Sequence, residues 1–295
     1  MNSPLGHPIV DTMIGFPVDG SGQYDNIRKQ AKDEQTKEEY EFPVEYMFKD
    51  VPQGLSTVDP IAVTVSEMDR FGIDRGLIGV GGETGADALR RYPDRFVAQV
   101  DVDANRGMAC IRDLVRYCDE YDVRAVGAFP CGMAPQVPIN DKKMYPIYAK
   151  CVELDLPIFV NAGMPGPRLP FAAQHVELID EVMYDFPELV FVARHGCEPW
   201  AELAVKLMLK WPGLHYCTSA FSPKYYPKAI VDYANTRGAD KIIYAGYFPM
   251  GLSLERIMGE LPKVAFRDHV WPQFLSGNAA RVLKLDRPPN QPYLG

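Results

Sequence analysis

Apolar and polar positions alternate between two textures along this chain. Short unbroken runs of β-branched and aromatic residues, such as LVFVA at 189–193, stop abruptly at a polar step. Such runs read as strands buried on both faces, which belong to parallel sheets. Between them the apolar positions fall at helical spacing. Ile111, Leu114, Val115 and Cys118 stand at i, i+3, i+4 and i+7 and predict one buried helix face. Strands are expected at 9–16, 76–80, 95–102, 123–129, 157–162, 189–194, 214–219 and 241–245. Helices are expected at 59–71, 86–92, around 111–118, and at 142–154, 176–186, 201–209, 227–236 and 253–261, with a closing helix at 271–285. Asp59 as N-cap, Pro60 in the first turn and Gly72 as stop frame the first of these.

Eight strands alternating with eight helices predict parallel βα units, and eight units predict a single-domain (β/α)₈ TIM-type barrel over 1–295. An open doubly wound sheet is the alternative. No G-x-G-x-x-G opens a helix after the first strand, which disfavours a dinucleotide site. The glycine-rich GVGGETG after the second strand lacks that spacing and a P-loop lysine, and reads as a turn. One connection breaks the rhythm. Residues 17–60 are too long for an ordinary loop and carry Tyr40, Phe42, Tyr46, Met47 and Phe48, so a lid or interface loop is expected there.

Composition narrows the function classes. The 295 residues are 47% hydrophobic, enough for a large core, and the net charge is −8 with no basic cluster. Nucleic acid and anionic membranes are therefore not expected partners; a small-molecule substrate is. Six cysteines form no C-x-x-C pair, and no apolar run approaches the ~18 residues of a membrane span. A soluble cytoplasmic protein is expected.

Candidate chemistry gathers at the strand ends, the carboxyl face where barrel enzymes act. His195 ends the sixth strand and is the leading candidate acid/base. Glu198, three residues on, is a candidate partner for its imidazole. Arg168, in the loop after the fifth strand, is a candidate carboxylate clamp. Arg194, adjacent to His195, is expected to point the other way, towards the helices, into a salt bridge. Asp11 and Met13 share one side of the first strand, with Asp11 deeper in the barrel. Together with Tyr46 of the long loop they are candidate substrate contacts. Cys131 follows the fourth strand, but nothing local lowers its pKa.

The segments IVDTMIGF, EMDRFGIDRGLIGV, RYPDRFVAQVDV, PIFVNAG, DFPELVFVARHGCEPW, KIIYAGYFP and FLSGNAARVLKLD resemble the amidohydrolase superfamily over nearly the whole chain. The branch is that of aminocarboxymuconate semialdehyde and γ-resorcylate decarboxylases. The resemblance implies metal ligands in an Asp-x-His-x-His step on strand one, a histidine on strand five and an aspartate on strand eight. Here those positions read Met13, Gly15, Asn161 and Tyr247. Methionine, glycine, amide and phenol do not rebuild a divalent site. His195 matches the family's acid/base histidine, and no metal or cofactor is expected.

The sequence thus supports a metal-independent hydrolase or carbon–carbon lyase acting on an aromatic, carboxylate or acyl carbonyl compound. His195 would be the acid/base, with Asn161 and Tyr247 as oxyanion donors. A metal-dependent decarboxylase and a catalytically inactive barrel kept for binding or assembly are the alternatives. A homodimer or higher homo-oligomer is expected from the aromatic loop.

Overall fold

The computed structural model describes residues 6–17, 25–39, 44–48 and 59–286. Eight parallel strands pair in chain order, β1 to β8. They are β1 (Ile9–Asp11), β2 (Ile73–Gly79), β3 (Phe96–Val102), β4 (Val123–Ala128), β5 (Ile158–Asn161), β6 (Phe191–Arg194), β7 (Leu214–Cys217) and β8 (Ile242–Ile243). Thr12 brings the first and last strands together, its N–H and Oγ1 donating to the Tyr244 carbonyl at 3.4 and 2.9 Å. Helices alternate with the strands, making the single-domain TIM barrel that the pattern predicts.

Local chemistry explains the element ends. Asp59 accepts from the Ala62 N–H at 3.0 Å and starts the helix Pro60–Phe71, which Gly72 ends in the left-handed conformation. The helix after β2 begins at Glu83, three residues before the expected 86, because Gly82 is extended and leaves Glu83 as the acidic first turn. The first strand is shorter than 9–16. A register irregularity after Ile9 disturbs it, and the Asp11 side chain takes the Met13 N–H at 2.9 Å, turning the chain out of the sheet.

The barrel interior is layered. Val10, Leu77, Val97, Ala125, Phe159, Val192 and Ile243 form an apolar floor, closed below by Ala279, Val282 and Leu283 of the C-terminal helix. One inward step higher, the parity of each strand brings up Gly79, Gln99, Gly127, Asn161 and Arg194, a polar layer. Much of the expected 17–60 lid, including Tyr40 and Phe42, lies outside the described residues. Its described parts include the short helix Asp25–Arg28 and the turn Glu45–Met47. Among the described residues no helix is long and apolar enough to cross a membrane.

Candidate active site

A cavity of about 920 Å³ opens above the polar layer at the carboxyl end of the strands. Of the side chains singled out from sequence, Met13, Asn161, His195, Glu198 and Tyr247 line it. Asn26, Ile27, Val44, Met47 and Phe48 of the long β1–α connection line it too, so that segment forms part of its wall. Phe48 stacks on Tyr247 with ring centroids 5.6 Å apart, and Tyr247 meets the His195 ring edge-on at the same distance.

His195 reaches the cavity by a backbone device. The inward residues of β6 are Val192 and Arg194, so regular alternation would send His195 outward. Instead His195, Gly196 and Cys197 take φ of 63°, 85° and 56°, a left-handed turn that swings the imidazole back over the strand end. Gly196 is required there, since a Cβ would stand 2.3 Å from the Phe221 ring. Ser219 then fixes the ring. Its Oγ accepts the His195 backbone N–H at 3.2 Å and lies 3.0 Å from Nδ1. Burial, with the Arg194 charge beside it, pushes the imidazole pKa down to about 3, so the ring is neutral at physiological pH.

Arg194 is the principal correction to the sequence reading. It points into the barrel, with the guanidinium 4.8 Å from the Phe159 ring centroid. It donates to Gln99 Oε1 and, at 3.4 Å, to the Thr12 carbonyl. Gln99 in turn donates from Nε2 to Asp101 Oδ1 at 2.7 Å. The Asp101 carboxyl opens onto the cavity, and burial within the protein pushes its pKa up, opposed by the Arg194 charge. Gly127 makes room for this group: a Cβ there would stand 2.2 Å from Asp101 Oδ1 and 2.4 Å from Gln99 Nε2. Neither Gln99 nor Asp101 was singled out from sequence. The signal was FVAQVDV, two polar residues at inward parity in an otherwise buried strand.

Three other candidates lie outside the cavity lining. Asp11 alternates with the inward Val10 and faces the helix layer, fully buried. Its Oδ1 accepts from the backbone N–H of Gly246 at 2.8 Å and of Met13, and burial raises its pKa to about 7. Arg168 bonds Asp33 at 2.6 Å and Gln35 at 3.0 Å and lies over the Tyr46 ring. Tyr46 is 46% exposed and donates to the Gly166 carbonyl. The two rest on each other beside Gly166, whose neighbourhood lines the cavity. The Cys131 thiol is buried, and burial pushes its pKa up to about 12. His215 is buried in β7.

The donor set does not suit a divalent metal. Met13, Asn161 and Tyr247 offer a thioether, an amide and a phenol, and a buried guanidinium shares their cavity. Among the described residues no three His, Cys, Asp or Glu side chains gather to hold an ion.

Comparison with known proteins places the fold in context. An uncharacterized TIM-barrel protein from Bordetella bronchiseptica superposes with a TM-score of 0.74 at 20% identity, covering 94% of this chain and 98% of that one. The 2,6-dihydroxybenzoate decarboxylase from Rhizobium gives 0.62 at 13% identity, over 97% and 100%. The 5-carboxyvanillate decarboxylase from Sphingomonas paucimobilis gives 0.64 at 15%, over 94% and 98%. At these identities the likeness is one of fold. No curated protein matches the sequence. The amidohydrolase family profile, however, matches residues 35–285, most of the chain. The chain belongs to the amidohydrolase family and is an enzyme.

Proposed function

We propose that this enzyme is a carbon–carbon lyase of the decarboxylase type that works without a metal on an apolar-bodied carbonyl acid. The observation that carries the reading is the convergence of Arg194, His195, Asn161 and Tyr247 on one cavity. Met13, Met47, Phe48, Met133 and Met250 supply an apolar wall for the body of such a substrate. Arg194 is a fixed cation against which its anionic end can rest.

In the reaction, the carbon–carbon bond beside the carbonyl breaks and the electron pair passes to the carbonyl oxygen as an enolate, releasing carbon dioxide. His195 serves this oxyanion as a neutral donor. Ser219 Oγ already accepts the His195 backbone N–H, and we assign its own proton to Nδ1, a better acceptor than the Cys217 sulfur 3.5 Å away. The ring proton is then on Nε2. Asn161 adds an amide donor, and a placed oxyanion donor is worth about 2.7–4 kcal/mol.

The test pairs metal analysis with turnover. Purified protein is assayed for bound transition metal and given a panel of aromatic and oxo carboxylic acids with and without chelator. Carbon dioxide release that the chelator leaves unchanged is expected. A stoichiometric metal whose removal abolishes turnover would overturn the reading in favour of metal-dependent decarboxylation. No turnover at all would favour a binding barrel.

A further inference from the structure

We infer that Asp101 is a catalytic residue, the proton donor that completes the reaction, with Gln99 as the residue that positions it. The inference rests on the lyase reading above, since it concerns where the proton that replaces carbon dioxide comes from. The geometry is directional. Arg194 donates to Gln99 Oε1, which fixes which end of the amide faces which neighbour. Nε2 is therefore the end that donates to Asp101 Oδ1. With Oδ1 engaged as an acceptor, the acidic proton of Asp101 is carried on Oδ2. Oδ2 lies on the side of Gly79 of β2, whose Cβ would stand 3.4 Å from it, and Asp101 lines the cavity. Gly127 on the other flank is the space that this arrangement occupies.

The wire runs from a buried cation through an amide to an acid. Its inner end is anchored by the Thr12 carbonyl and the Phe159 ring. Its outer end is a carboxyl open to the cavity, where desolvation by the surrounding protein raises its pKa against the Arg194 charge and the Gln99 hydrogen bond. The other ionisable groups lining the cavity are Asp103 after β3, His195 and Glu198 after β6, Lys224 and Tyr225 after β7, and Tyr247 and Arg256 after β8. On the two groups placed for proton chemistry desolvation acts oppositely: it pushes the His195 pKa down and the Asp101 pKa up. When the enolate forms, Asp101 passes its Oδ2 proton to the carbanion carbon and becomes a carboxylate beside Arg194. Solvent returns the proton before the next turnover.

Two readouts test this. Infrared titration of the wild type against Asp101→Asn follows the carbonyl band of an un-ionised carboxylic acid and needs no substrate. A band assignable to Asp101 that persists above about pH 5, where an exposed aspartate has ionised, is expected. Its absence overturns the proposal whether or not a substrate is in hand. On a turned-over acid, Asp101→Asn keeps an acceptor for Gln99 Nε2 and loses only the proton. It should lower kcat about 10²–10⁴-fold with KM nearly unchanged. Gln99→Met should lower kcat and shift the pH limb together with the infrared titration, at a melting temperature that certifies folding. Full kcat in Asp101→Asn would remove Asp101 from catalysis while leaving the lyase reading standing. A panel without turnover would count against the lyase, and the infrared titration would still decide the state of Asp101.

Discussion

Asp101 and Asp11 are both carboxyls at the carboxyl end of the barrel, on opposite faces of its wall, the first open to the cavity and the second fully buried. Desolvation raises the pKa of each. Their surroundings then diverge. Asp101, inside, has a guanidinium, an amide and a cavity. Asp11, outside, has two backbone N–H groups from Gly246 and Met13 and is not part of that cavity's lining. Among the described residues its Oδ2 has no hydrogen-bond partner, nor does the Tyr244 hydroxyl. A perturbed pKa marks desolvation, and desolvation serves structure as readily as chemistry. What separates the two roles is access. Asp101 can hand a proton to a bound molecule. Asp11 clasps β1 to the end of β8.

The contrast breaks most readily at Asp11. Its pKa rises from 3.8 to about 7 in the folded protein. The fold thus favours the protonated form, so this contribution is fully present below about pH 4 and lost as the pH climbs towards 7. The full difference is on the order of 4 kcal/mol. Asp11→Asn keeps an acceptor for the two N–H groups and cannot ionise. Wild type should therefore lose melting temperature from about pH 5 to pH 8 relative to the variant, with turnover the same in both. Parallel melting curves across that range would mean that Asp11 ionises without penalty. A large loss of turnover in the variant would place it in the chemistry after all.

Gly127 probes the inner carboxyl. In Gly127→Ala the new methyl group meets Asp101 Oδ1 and Gln99 Nε2 inside 2.5 Å, so both must move. A displacement of about 1 Å at a reacting group costs on the order of 10²-fold in rate. Turnover should fall by about that much with little change in melting. Gly79→Ala, whose Cβ would stand 3.4 Å from Asp101 Oδ2, should cost far less. Equal activity in both variants would show that the position of the carboxyl is immaterial.

How much of this was legible in the sequence follows from where strand parity holds. The uninterrupted apolar runs and helical spacings exposed the eight βα units, because buried parallel strands and amphipathic helices leave those marks. Parity also places Asn161, two residues beyond the inward Phe159. It misleads at β6, where the left-handed turn breaks the alternation at His195 and sends both Arg194 and His195 inward. It misleads again at β1, where Asp11 alternates outward from Val10 and the turn its side chain makes with the Met13 N–H brings Met13, beyond the strand, to the cavity. Gln99 and Asp101 were readable in principle from their alternation with Val97. Their chemistry depends on an arginine nearly a hundred residues away, and no local pattern encodes that pairing.

Ser219 offers the finest test of the inner network. Its Oγ is the partner of both the His195 backbone N–H and Nδ1. If its proton goes to Nδ1, the neutral ring carries hydrogen on Nε2, where a bound oxyanion can meet it. Nitrogen-15 spectra of the imidazole should show that single tautomer in the wild type. Ser219→Ala removes the hydroxyl and should give a mixture, with turnover down about tenfold and stability down about 1 kcal/mol, the net worth of one hydrogen bond. Ser219→Thr restores the hydroxyl and should recover the tautomer and most of the rate, which a merely space-filling role for Ser219 would not produce. A wild-type spectrum with hydrogen on Nδ1 would mean that Ser219 accepts both N–H groups and that Nε2 is a bare acceptor. His195 would then be a base, and the division of labour with Asp101 would reverse.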